Sequence, residues 1–180
     1  MVRVLGPGVI VVALALLAGC GSSPAGDPGV KAATASLKSE LLQQSASAAS
    51  PFTFTDAQAQ CAASKVVGSV GTARLQKYGL LNAQNQATAK TLDSTTLSSP
   101  DATAVVSAIV DCLGPANVTK ALATAVGRSL PGSRTAPQRA CLERKLTIAA
   151  LKPMLIDTLT GHQAAAQAFY ASLASCIPAS

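Results

Sequence analysis

The pattern TxxQxxCxxxK occurs twice in this chain, 80 positions apart: Thr55, Gln58, Cys61 and Lys65 are matched by Thr135, Gln138, Cys141 and Lys145, and further on Leu75 is matched by Leu155. A threonine with glutamine three residues on is a capping box. The hydroxyl accepts from the third amide of a helix while the glutamine side chain returns to the cap's own amide. Each copy therefore opens a helix and places a cysteine about a turn and a half inside it, beside apolar positions at helical spacing (Ala62 and Val66; Leu142, Leu146 and Ala149). The second cysteines of the two halves also stand in similar settings, SAIVDCLGP over 107–115 and ASLASCIPA over 171–179. We read the halves as related repeats, the second being 16 residues shorter between its cysteines. Four cysteines allow three pairings. If each half folds as a unit, the bridges are Cys61 to Cys112 and Cys141 to Cys176, each restricting the unfolded chain by roughly 4 kcal/mol in the chain-entropy model.

The rest of the chain supplies further helix signals and no sustained period-two alternation, so the expected fold is all-helical. Thr72 to Tyr78 reads as a short helix stopped by Gly79, and Pro153 as the first-turn residue of a stretch stopped by Gly161. The most distinct helix has Ser99 as cap, Pro100 at its first position and Asp101 complementing the dipole. Its stripe of Ala102, Val105, Val106, Ile109, Val110 and Leu113 ends at Gly114-Pro115. Its counterpart carries Ala166, Phe169, Tyr170, Leu173, Cys176 and Ile177 before Pro178. Between the halves, Asn117 is placed to cap a helix with Val118, Leu122, Ala125, Val126 and Leu130 on one side, stopped by Pro131-Gly132. Residues 82–97 are polar and read as a loop with some helix.

At the other end of the chain Arg3 precedes a ten-residue apolar run, Val9 to Ala18, followed by Gly19 and Cys20. The run is too short to span a bilayer, which takes roughly 20 apolar residues. It has the layout of a signal peptide: positive n-region, apolar core, small residues before a cut. The tetrapeptide Leu17-Ala18-Gly19-Cys20 resembles the lipobox of bacterial lipoproteins, and in general character the chain is similar to small, Ala-rich, four-cysteine lipoproteins of actinobacteria. That resemblance implies diacylation of the Cys20 thiol and a mature chain beginning there, held at the extracytoplasmic face of the cell membrane; two acyl chains anchor where one binds only reversibly. It transfers no ligand and no activity. The expected organisation is a removed signal peptide over 1–19, a lipidated N-terminus and flexible tether over 20–50, a helical repeat over 51–114, a linking helix and turn over 115–134, and a second repeat over 135–180. Within the tether, 30–46 carries a weak amphipathic signal (Leu37, Leu41, Leu42).

Composition narrows the function classes. The chain has one histidine, no tryptophan and five aromatics (Phe52, Phe54, Tyr78, Phe169, Tyr170), and no motif of an established hydrolase, metalloprotease, dinucleotide or P-loop site. His162 follows Gly161 and reads as a helix-terminal polar residue. Asp111 and Asp157 are single carboxylates where glycoside hydrolysis uses a pair. No two cysteines have zinc-ligand spacing, and no catalytic, cofactor or metal residue is assigned. From Pro115 onward seven basic residues (Lys120, Arg128, Arg134, Arg139, Arg144, Lys145, Lys152) face two acids (Glu143, Asp157). This half is a candidate to meet an envelope protein or an anionic lipid or polymer. Nucleic acid is not expected as a partner. The expected role is thus non-enzymatic, binding or scaffolding an envelope partner. The alternative is a carrier holding a lipid or other apolar ligand between the repeats, and third comes a hydrolase, for which His162 would have to meet Asp or Ser in a pocket. Mass spectrometry of the mature protein is expected to find an acylated Cys20 at its amino terminus, and Cys20→Ala to release the protein from the membrane fraction; an unmodified, freely secreted chain would remove the anchor.

Overall fold

The computed structural model describes residues 26–46, 50, 52–92, 94–129 and 135–176. Residues 1–19, read as a signal peptide, together with Cys20, Leu130, the Pro131-Gly132 stop, Arg134 and Ile177-Pro178, lie outside them. Among the described residues the regular structure is entirely helical, in eight helices: α1 Pro28–Ser45, α2 Asp56–Val70, α3 Thr72–Lys77, α4 Ser99–Leu113, α5 Pro115–Ser129, α6 Ala136–Lys145, α7 Ile148–Thr160 and α8 Ala164–Ala174. The described residues of 82–97 contain no helix, and Ala87 forms an isolated antiparallel bridge with Leu81.

Both capping boxes are formed. Thr55 accepts from the Gln58 amide while the Thr55 amide donates to Gln58 Oε1, and Thr135 and Gln138 do the same at the start of α6. The two disulfides are Cys61–Cys112, joining α2 to α4, and Cys141–Cys176, joining α6 to the turn after α8. One turn beyond Cys61, Lys65 Nζ donates to Asp111 Oδ2 at 2.8 Å, so Asp111 has the partner that its sequence neighbourhood did not reveal. The position before Cys176 is Ser175, an uncharged residue, so this pair has no counterpart there.

Residues 28–45, assigned to the tether, are instead helix α1. It packs along α2 with Ala33, Thr34, Leu37 and Leu41 buried. The cause lies partly in local capping: Asp27 accepts from the Gly29 amide at 2.6 Å, and Pro28 takes the first helical position, where a missing N–H costs nothing. The rest is packing. Ala59, Ala62 and Ala63 on α2 and Ala33 on α1 are fully buried, and such small side chains let the helices approach closely. Burying Leu37 and Leu41 contributes about 1.5–3 kcal/mol each.

Three helix starts differ from the sequence reading. Ser98, not Ser99, caps α4, because its Oγ is the one that reaches the Asp101 amide; Pro100 then sits one place further in, still among amides without intrahelical partners. Asn117 lies inside α5, which begins at Pro115, and its side chain donates to the Leu113 carbonyl at 2.8 Å, capping the end of α4 rather than the start of α5. Pro153 lies within α7, whose cap is Thr147 accepting from Ala150. Gly114, with φ +84°, supplies the left-handed turn that bends the chain by 101° from α4 into α5. No single helix among the described residues is long and apolar enough to cross a membrane.

The core divides into three clusters. The first joins α1, α2, α3 and one side of α4; the second joins α6, α7, α8 and part of α5; the third lies between them, with Val106, Val110 and Leu113 of α4 and Val118 of α5 packed against Ile148, Leu155, Ile156 and Leu159 of α7. Leu37→Ala is expected to destabilise the protein by about 2–5 kcal/mol in denaturant unfolding, and Lys31→Ala, on the exposed side of α1, by under about 0.5 kcal/mol. Equal, negligible effects would return α1 to the tether.

Candidate functional site

Among the described residues, a concavity opens at the seam of the two halves. It is a partly open cleft of about 430 Å³, lined by Leu41 and Gln44 of α1, Ser50, Phe52 and Phe54 of the α1–α2 connection, Thr91 and Leu92 of the long loop, Val105, Val106 and Ile109 of α4, and Leu155, Thr158 and Leu159 of α7. That volume is in the range of small-molecule sites, about 300–1,000 Å³.

Each wall has a local reason to stand where it does. On α4, Ile109 lies one turn beyond both Val105 and Val106, at the boundary of the helix's two packed sides, and on α7 Leu155, Thr158 and Leu159 share one side, so the two helices meet at the cleft through side chains spaced i, i+3 or i+4. The connection between α1 and α2 is held by Ser45, whose Oγ donates to the Leu41 carbonyl and accepts from the Phe54 amide at 3.0 Å, and by Ser50, whose Oγ accepts from the Phe52 amide and donates to its carbonyl. Phe54, directly ahead of the Thr55 cap, packs at the edge of both the first and third clusters. The long loop is tied to α7 by the Leu97 amide donating to the Leu159 carbonyl at 2.7 Å, and Thr95 is anchored through its Oγ1 on the Thr91 carbonyl.

Among the described lining residues no side chain is charged. The polar groups are Gln44, Ser50, Thr91 and Thr158. Ser50 is occupied by its own backbone contacts, and Thr158 Oγ1 donates to the Met154 carbonyl at 2.9 Å. Gln44 donates from Nε2 to Glu40 Oε1 at 2.9 Å.

Several charged groups away from the cleft act structurally. Asp101, 2% exposed, binds Arg74 Nη1 at 2.9 Å and accepts from Tyr78 Oη and Ser98 Oγ, while Arg74 also donates to the carbonyls of Ser69 and Val70. One guanidinium thus joins the carbonyl end of α2 to the amide end of α4, each with the charge its dipole favours. The Asp111 carboxyl is held below its ordinary value by its hydrogen bond to Lys65, then by the charge of that lysine. A depressed carboxyl stabilises the fold above its unfolded pKa, and that contribution disappears as pH falls through the lowered folded value. Asp157 accepts from the Ala165 amide at 2.6 Å, capping α8.

His162 is exposed, its Nδ1 lies 2.8 Å from Thr160 Oγ1, and it does not line the cleft. Phe169 is buried and meets the exposed Tyr170 edge to face at 5.8 Å. Of the basic residues of the second half, Lys120, Arg139, Arg144 and Lys145 are exposed on α5 and α6, and Lys152 is half-buried on α7. Among the described residues no group of three His, Cys, Asp or Glu side chains is arranged to hold a metal ion. None of the residues that line the cleft was singled out in the sequence as a ligand-binding residue. Compared with protein-family models, with curated proteins and with solved structures, the chain matches none.

Proposed function

We propose that this chain is a membrane-anchored lipoprotein of the bacterial cell envelope, tethered at the extracytoplasmic face through acylated Cys20, and that it carries a lipid or other apolar ligand between its two halves. The observation behind the reading is the cleft of about 430 Å³, with apolar strips of α4 and α7 as its walls. A scaffold that acts only through its outer surface has no use for such a concavity, so the carrier function takes precedence over scaffolding. A hydrolase would need an acid, base or nucleophile at the ligand, and His162, Asp111 and Asp157 are engaged away from the cleft.

The two halves are best understood as diverged copies of one helical unit. In support, each opens with the same capping box, and each has a disulfide from the helix that box opens, to α4 in the first half and to the turn after α8 in the second. A ligand site at the boundary of two repeats uses the surface that duplication leaves facing its own copy. The exposed cations of α5 and α6 favour an anionic envelope surface as the setting in which the carrier works.

The neutral fluorophore N-phenyl-1-naphthylamine tests the site directly. It is expected to bind saturably with one-to-one stoichiometry. Ile109→Trp, which fills the cleft from the α4 wall, is expected to weaken it at least about tenfold, or ~1.4 kcal/mol, while leaving the thermal unfolding midpoint unchanged or raised. The chain contains no native tryptophan, so the introduced indole also reports its own environment. Unsaturable uptake, or equal affinity in the variant, would place binding elsewhere.

A further inference from the structure

We infer that the cleft selects a single-chain amphiphile whose head is polar but uncharged, a hydroxyl, ester or amide of the monoacylglycerol kind, with its chain between α4 and α7 and its head at Gln44. This rests on the carrier reading and narrows it to a ligand class.

The argument begins with the polarity of the two ends. Toward α7 the lining is Val105, Val106, Ile109, Leu155 and Leu159, with Thr158 already bonded to its own helix. Toward α1 the cleft reaches Leu41, Gln44, Thr91 and Leu92, and these same four residues line a second, much smaller hollow whose other walls include Glu40 and Lys90. The α7 end is therefore the more apolar and the other runs out toward polar groups, which orients an amphiphile with its head at the α1 end.

The charge of that end decides the head. Glu40 and Lys90 carry opposite signs, so neither an anion nor a cation finds a net counter-charge there. Both are also engaged: Glu40 Oε1 accepts from Gln44 Nε2 at 2.9 Å and Lys90 Nζ donates to the Tyr78 carbonyl at 2.9 Å. A charged head drawn into the cleft would lose water without a net counter-charge to replace it, a large cost. A neutral head has partners. Gln44 is half-buried, its Oε1 has no protein partner among the described residues, and its second N–H remains to donate. A glycerol hydroxyl can take both.

The test is competitive binding to the full-length protein, read by native mass spectrometry, with four probes of equal chain length: a monoacylglycerol, the corresponding fatty acid at pH 8, an alkyltrimethylammonium and the plain alkane. The monoacylglycerol is expected to exceed both charged probes at least about tenfold. Gln44→Leu is expected to lower monoacylglycerol binding by roughly 3–10-fold while alkane binding is retained, which shows that the variant is folded and the chain site intact. Binding of either charged probe equal to or above the neutral one, or monoacylglycerol binding unaffected by Gln44→Leu, would overturn the assignment of the head while leaving the carrier reading in place. Absence of every adduct, the alkane included, would overturn the carrier reading and this inference with it.

Discussion

Helix α4 has apolar side chains on both sides of its axis, and the need to bury both is what makes one molecule of two halves. Ala102, Val105 and Ala108 pack into the cluster of α1, α2 and α3, whereas Val106, Val110 and Leu113 turn toward α5 and α7. A single layer of helices could cover only one of these sides. The Cys61–Cys112 bridge, the Lys65–Asp111 pair beside it and the Arg74–Asp101 contact at the opposite end hold α4 against α2 along its length. With that side fixed, the other is left for α7. The cleft lies where this second contact ends, because Val105, Val106 and Ile109 continue past the point at which α7 and the α1–α2 connection close over them.

The composition of the helices explains why α4 needs such fastening. Alanine dominates the first interface, and it permits close approach but contributes little buried area per residue compared with leucine or phenylalanine. Covalent and charged contacts make up the difference: one disulfide in each half, and buried polar groups satisfied around Asp101. In the second half the corresponding lysine, Lys145, meets no acid among the described residues, and α6 is held chiefly by Cys141, Leu142 and the following Leu146.

What could be read from the sequence was what is decided locally. The capping boxes at Thr55 and Thr135 are set by residues three apart and formed as written. Ser98 and Ser99 are both able caps, and only the position of the Asp101 amide distinguishes them. Pro153 mimics a helix start, but Thr147 caps three residues ahead of Ala150 and α7 runs through the proline, giving up a single amide donor. Helix α1 was obscured because its stripe of Ala33, Thr34, Leu37 and Leu41 is weak by itself and acquires meaning against α2. The Asp27-Pro28 cap was the signal that could have revealed it. The cleft was the least legible feature. Its walls come from five separated segments, and every one of its leucines, valines and phenylalanines reads as core until the segments fail to close on one another.

The central claim is that this gap is a ligand site. It is tested most directly by methyl NMR of the protein with an acyl chain carrying a nitroxide at its terminal carbon. The account predicts line broadening confined to the methyl groups of Val105, Val106, Ile109, Leu155 and Leu159, reversed when the nitroxide is reduced. Broadening centred on the surface of α6 or α8, or none at saturating probe, would contradict it.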